Sequence, residues 1–450
     1  MITRIEASRY RCFEKLALSL DSFQVFVGPN GSGKTTLLDI PVVLGEMLSS
    51  RSIEAAFLKS TPTHPRPRAD VAADLIYKRL GENFVLMVEA RLPQATISNL
   101  LEKQASRLQP RSVEALRTSP GKWLTRIRYE IEFELFNDAL QIGQEYLLLL
   151  AEGVDTNQIA PNGLVGEWLS ERPRNVVPII SRPRGGKVNF YPEAENRGHR
   201  NDYGFPVTEP AFANVFADRS RYGASLWLRD LLTAEVCAYQ PSVTALRDPQ
   251  PRVQQPGVVR DASTVPWLAY QLMTKAEEAS KEGVKTATKA RRAFESWERL
   301  ARLALQGLVK IEPVVRDDDK RAYLRLHYRN GAVVPSSGLS DGTLLLLAVT
   351  ILPYLSNTPA LITYEEPENG VHPKGIEILL QALQSIHASQ EFVSTHSPLV
   401  LAQCQPSQII CLTLDDKGAA IALRGDEHPA LTEWKETVNL GSLLAAGVLG

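Results

Sequence analysis

The sequence predicts an α/β fold, a mixed sheet flanked by helices, with its two halves at opposite ends of the chain and a mixed and helical insertion between them. Three observations predict it. A compact apolar strand, Phe23–Val27, runs through a glycine-rich turn into a helix that begins near Thr35. A second buried strand, Ala360–Tyr364, ends in two adjacent carboxylates. Between them, residues 161–266 carry prolines at 161, 173, 178, 183, 192, 206, 210, 241, 249, 251, 256 and 266. Proline removes a backbone donor and breaks helices, so no long helical rod can occupy that stretch.

The chain has 450 residues, which on size alone fits two or three domains. Fifty Lys+Arg stand against 51 Asp+Glu, a net charge of −1, which argues against a chain-wide basic surface but leaves room for a local one. The longest apolar run, Leu344–Leu352, is interrupted by Thr350 and then Pro353, about half of what a membrane span needs. Charges near Met1 stand where a secretory apolar region would lie, so a cytoplasmic protein is expected. The four cysteines, Cys12, Cys237, Cys404 and Cys411, form no CxxC and read as reduced core thiols.

In chain order, Ile2–Ser8, Leu16–Leu20 and Phe23–Val27 read as strands, and Thr35–Leu44 as a helix. Phe84–Arg91 and Thr125–Phe136 alternate apolar and polar residues and read as strands. Val265–Gln306 is helical in texture; Lys275–Lys310 carries nine Lys/Arg and five Glu, most simply a solvated face. Val309–Val315 and Tyr323–Tyr328 form a hairpin around Asp317-Asp318-Asp319, and a helix follows Ser340. Phe392–Thr395 is a short buried strand, and Gln408–Leu414 with Ala419–Leu423 form a last hairpin.

Gly28-Pro29-Asn30-Gly31-Ser32-Gly33-Lys34-Thr35 fits the phosphate-binding pattern GxxxxGK[ST]. Its glycines let successive N–H groups turn inward around phosphate oxygens, and the helix that follows adds its N-terminal dipole. Lys34 supplies a cation for the β- and γ-phosphates, the Thr35 hydroxyl a ligand for Mg²⁺, and Thr36 support for the α-phosphate. At Glu365-Glu366, successive strand residues point to opposite sides, so Glu365 is assigned to the metal and Glu366 to the attacking water. His396 follows a strand at the edge where ligands bind in open α/β sheets and can sense the γ-phosphate. Ser340 and Asp341, in Leu339-Ser340-Asp341-Gly342-Thr343, cap a helix whose N-terminus can receive an anion.

The order P-loop, LSDGT, EEPE, THSP resembles ATP-binding-cassette ATPases of the SMC, RecF and OLD-like group, over about residues 1–50 and 305–425. The resemblance implies an ABC-ATPase head, ATP and Mg²⁺ as cofactors, and ATP hydrolysis. It makes Leu339–Thr343 a variant signature, with Asp341 in place of Gly and Thr343 in place of Gln; His396 becomes the switch histidine, and Arg11 the residue touching the adenine end. Glu365 stands where the family usually has Asp. The head would occupy 1–160 and 307–450, with a lid domain at 161–306. The resemblance further implies a head-to-tail homodimer around two ATP molecules, with Ser340, Asp341 and Gly342 of one subunit acting on the other's nucleotide. The chain resembles short single-chain ATPases of a kind often found in antiphage defence operons, which implies a toprim-like nuclease or other effector as partner. Two alternatives stand beside it. One is a DNA-repair ATPase with a local basic groove, for which the helical stretch Lys275–Lys310, of net charge +4, and Arg182, Arg184 and Lys187 are candidates; the other is a nucleotide-gated scaffold with negligible turnover. A transporter motor fits poorly with a chain that has no membrane span.

Overall fold

A computed structural model describes residues 1–61, 64–106, 108–156, 163–171, 175–193, 202–282, 285–432 and 439–446, with side chains left undescribed at a few of these, including 275–291. The strands, in order, are β1 Ile2–Tyr10, β2 Phe13–Ser19, β3 Phe23–Val27, β4 Asn83–Arg91, β5 Leu124–Phe136 and β6 Ala139–Ala151. They continue with β7 Val176–Arg182, β8 Val188–Phe190, β9 Asp202–Tyr203, β10 Val236–Ala238, β11 Leu308–Val315 and β12 Ala322–Tyr328. The last five are β13 Val333–Pro335, β14 Leu361–Glu365, β15 Gln390–Thr395, β16 Ile409–Leu414 and β17 Ala420–Arg424. The chain divides into two compact units, one made of 1–21, 36–236 and 414–422 and the other of 22–35, 237–413 and 423–450.

The first unit is built on an eight-stranded sheet in the order β2-β1-β4-β5-β6-β7-β8-β9. Its pairs are antiparallel. β5 and β6 meet at Asn137-Asp138, where both residues take positive φ (49° and 61°), the backbone that matches a tight hairpin to strand twist. Pro178 lies within β7, so part of the proline-rich stretch is sheet. The core includes an aromatic group: Phe84 and Phe133 stack at 4.7 Å, with Phe57 edge-on to Phe133 at 5.1 Å. Each such pair adds roughly 0.5–1.5 kcal/mol beyond its burial.

The second unit carries the strands β10-β14-β15-β3-β16, side by side in that order, and β14, β15, β3 and β16 run parallel. Central parallel strands are covered on both faces, which explains why β3 reads as a continuous apolar run: Val25, Phe26 and Val27 are fully buried. A three-stranded antiparallel sheet, β11-β12-β13, belongs to the same unit. The helical stretch resolves into two helices, Val265–Glu282 and Lys285–Ala304. Buried Trp297 donates its indole N–H to Thr350 Oγ1 (3.1 Å), and that hydroxyl donates to the Leu346 carbonyl (2.7 Å). Thr350 is thus a satisfied polar residue in an otherwise apolar helix. No helix of the described residues is long and apolar enough to cross a membrane.

Candidate nucleotide site

Register places the chemistry. In the second unit Thr395 pairs with Val27, and Glu365 pairs with Ser394. The carboxyl ends of β3, β14 and β15 therefore lie at one level, where ligands bind in open α/β sheets. The P-loop follows β3, Glu365 and Glu366 end β14, and His396 follows β15.

The P-loop conformation demands its glycines. A Cβ at Gly28 would stand 2.1 Å from the Leu412 carbonyl oxygen, and Gly33 has φ +97°. Lys34 begins the helix Lys34–Ser50, and its ammonium donates to the carbonyls of Gly28 (2.8 Å) and Pro29 (2.9 Å). Burial holds its pKa below the ordinary lysine value, against the pull of Glu366 and Glu365. The Ser32 hydroxyl is buried and has no protein partner. An orphaned buried hydroxyl in a loop that begins and ends in glycine is what a phosphate oxygen would satisfy. Gly31, at φ +81°, has open space where a Cβ would stand, and Asn30 is exposed.

Thr35 Oγ1 donates to Glu365 Oε2 at 2.8 Å, bringing the hydroxyl and carboxylate together across 330 residues of sequence. Among the described residues no group of three or more His, Cys, Asp or Glu could cage a metal by itself. One hydroxyl and one carboxylate suit Mg²⁺, which keeps waters and takes substrate phosphates as ligands.

Glu366 has φ +47°, a conformation that side chains other than Gly seldom adopt. Its N–H is held by the Ser394 carbonyl (2.9 Å), and its carboxylate accepts from Asn369 Nδ2. His396 Nε2 lies 3.5 Å from Glu366 Oε1. Such a backbone persists because its surroundings over-determine it. Two neighbours in the segment that follows Glu366 had no role assigned from the sequence. Glu368 accepts from Thr395 Oγ1 (2.5 Å) and from the His396 N–H (3.3 Å), tying the segment after Glu366 to the histidine. Asn369 orients Glu366. The run of polar residues after β14 was their only signal.

Ser340 caps the helix Asp341–Thr350: its Oγ accepts from the Thr343 N–H (3.3 Å). A Cβ at Gly342 would stand 2.5 Å from the Gly370 carbonyl, so this helix packs directly on the segment that follows Glu366. Asp341 is paired with Arg247, which also donates to the Ser337 carbonyl (3.3 Å). No local pattern marks Arg247, 94 positions from its partner.

Arg11 and Thr36 belong to the antiparallel unit. Arg11 sits at φ +52° between β1 and β2, with its N–H on the Leu75 carbonyl (2.8 Å), and the Thr36 hydroxyl bonds the Cys12 thiol. Of the candidate basic groove, Arg182 is buried on the carbonyls of Pro206 and Glu209, and Arg184 is paired with Glu132 (2.6 Å). Lys187 is exposed; the side chains of 275–291 lie outside those described.

Residues 257–402 match a family described as "AAA domain, putative AbiEii toxin, Type IV TA system". A 51-residue stretch is 43% identical to the OLD nuclease of Thermus scotoductus, covering 11% of this chain and 10% of that protein. The chain thus spans about a tenth of that relative's length. Among solved structures, an SmcHead bound to the C-winged helix domain of ScpA aligns with TM-score 0.46 at 11% identity, over 94% of this chain and 96% of that one. The Smc head domain bound to the C-terminal domain of ScpA, derived from Pyrococcus furiosus, aligns with TM-score 0.45 at 12% identity, over 94% and 95%. The SMC head domain from Thermotoga maritima aligns with TM-score 0.37 at 12% identity, over 94% and 98%.

Proposed function

We propose that the chain is a Mg²⁺-dependent ATPase whose nucleotide-bound heads pair and gate a partner effector, in antiphage defence. The observation that carries the reading is the meeting, at one sheet edge, of the Thr35–Glu365 hydrogen bond with the Glu366–His396 contact. The Ser32 hydroxyl, buried and without a protein partner, and backbone N–H groups of the P-loop would hold phosphate oxygens. Lys34 exchanges its two loop carbonyls for the β- and γ-phosphates. Thr35 and Glu365 would hold Mg²⁺, which when bound would neutralise phosphate charge. Glu366, fixed by Asn369, orients the attacking water and takes its proton. His396, beside Glu366 and tied to Glu368, senses the γ-phosphate and carries its loss into the segment after β14. Arg11 is assigned to the adenine end and Thr36 to the α-phosphate.

Ser340, Asp341 and Gly342 are assigned to the nucleotide of a second copy. Ser340 already presents a capped helix N-terminus, the form in which a helix receives an anion. A toprim-like nuclease is the effector this reading favours, supported by the short match to an OLD nuclease. The test is ATP turnover and solution mass, with and without ATP, for the wild type and Glu366→Gln. The wild type should hydrolyse ATP, and the variant should lose turnover and stay dimeric on ATP. Negligible wild-type turnover would favour a nucleotide-gated scaffold. A monomer under every condition would defeat the pairing.

A further inference from the structure

The opposite end of β15 carries an unexplained charge. Glu391 is 3% exposed, yet its Oε2 has no hydrogen-bond partner. No side chain of the described residues pairs with it, and burial alone acts on its carboxyl, pushing the pKa up to about 9. A buried carboxyl with nothing to bind is costly and calls for a reason. The reason is beside it. Glu391 lines a cavity of about 150 Å³, with Ser22 and Phe23 at the start of β3 and Leu383, Gln384 and His387 around the end of the helix Pro373–Gln384. That helix brings the negative end of its dipole to the same place, so the cavity favours positive charge twice over.

The lining selects the cation. One carboxylate cannot cage a metal ion, and among the described residues no cluster of three or more metal-ligating side chains exists. Phe23, Leu383 and Ile386 give the lining apolar surface, and Glu391 is the acidic residue among the lining residues. Apolar wall and buried carboxylate together suit an alkyl stem with a charged tip, the form of an aliphatic amine or guanidine. We propose that this cavity binds the cationic end of an aliphatic amine or guanidine, with Glu391 as its counter-ion. The site is independent of the nucleotide chemistry, which lies at the other end of the same strands. Its ligand is either a free small cation or a basic side chain of a partner protein.

Binding should be measured by calorimetry on the full chain at pH 7, with butylguanidinium and butylammonium as free cations and N-acetylarginine amide as the side-chain mimic. Parallel titrations in buffers of different ionisation enthalpy read the protons released. Wild type should bind at least one probe and release close to one proton per cation, because Glu391 enters the complex ionised. Glu391→Gln should weaken binding about tenfold or more, as expected when about 1.4 kcal/mol of pairing is lost. Glu391→Leu, which replaces the carboxyl with an apolar group, should fold and also fail to bind. Selective binding of the small cations points to a free amine or guanidine, and binding of N-acetylarginine amide points to a partner's basic side chain. No heat with any probe, or equal binding by Glu391→Gln, would overturn the proposal.

Discussion

Charged groups are treated in two ways in this chain. In the antiparallel unit the carboxylates at Glu6, Glu130, Glu145 and Glu193 are met, although Glu89 Oε2 and Glu134 Oε1 there lack a hydrogen bond. Arg128, fully enclosed, donates to Glu6 (2.9 and 3.0 Å) and to Glu130 (2.6 Å). Glu145 accepts the N–H groups of Ala211 (2.7 Å) and Phe212 (2.9 Å), and Glu193 those of Ala224 (3.0 Å) and Ser225 (2.8 Å). In the parallel unit Ser32 and Glu391 are left open, and Glu366 is held on a strained backbone. Completed networks hold a shape. Incomplete ones await a ligand. The contrast separates charge that serves stability from charge that serves binding.

The largest effect should follow from breaking the open side. Glu366→Gln and Lys34→Ala should each lower ATP turnover by about 10²–10⁴, the range for losing a positioned acid–base group, with little change in Tm. Steady-state hydrolysis and thermal melts on the same samples decide it. A Tm fall matching the activity loss would make these residues structural.

Breaking the closed side should do the reverse. Arg128→Ala leaves Glu130 buried without its cation and Glu6 with Arg4 alone, and should cost about 3–5 kcal/mol of stability. Chemical denaturation reads it. Arg128→Met with Glu6→Gln and Glu130→Gln should recover much of the loss, since replacing both sides of a buried pair is far milder than orphaning one.

The pH profile sharpens the same contrast. Burial pushes Glu6 up, but hydrogen bonds and charge from Arg128 and Arg4 win and hold it down at about 2. Its contribution is present above the usual carboxylate pKa of 4.5 and is lost as pH falls towards 2. Glu391 is raised to about 9, so its contribution has the opposite sign: it is lost as pH rises from 4.5 towards 9. Glu391→Gln should therefore flatten the alkaline limb of the stability curve and leave the acid limb alone. An unchanged alkaline limb would mean that Glu391 is ionised against a cation already at neutral pH.

What was legible in the sequence follows from where each signal lives. β3 reads to the residue because both faces of a central parallel strand are buried and a glycine turn ends it. β15 was read only from Phe392, although it begins at Gln390, because a buried Glu391 breaks the apolar run that marks such a strand. β6 was missed because its Leu147–Leu150 run carries no alternation, and β7 because Pro178 argues against a strand. Thr35 and Glu365 were assigned from spacing and motif alone. Glu368, Asn369 and Arg247 act through tertiary contacts that no local pattern encodes.

The smallest expected effect on stability lies at Arg247–Asp341, and it tests the pairing most directly. Both side chains are partly exposed, at 34% and 63%, so the ion pair itself is worth about 0–1 kcal/mol. Its consequence for a second copy is larger. Asp341 puts a carboxylate on the helix N-terminus assigned to the partner's γ-phosphate, and like charges there oppose approach. Arg247 cancels that charge. Arg247→Ala should leave Tm nearly unchanged yet weaken ATP-driven dimerisation, while Asp341→Asn should strengthen it, both read by sedentation-independent light scattering across an ATP titration. Opposite signs from two substitutions that scarcely touch the fold would place the signature at an interface. Equal, negligible effects would confine the pair to the surface of a single subunit.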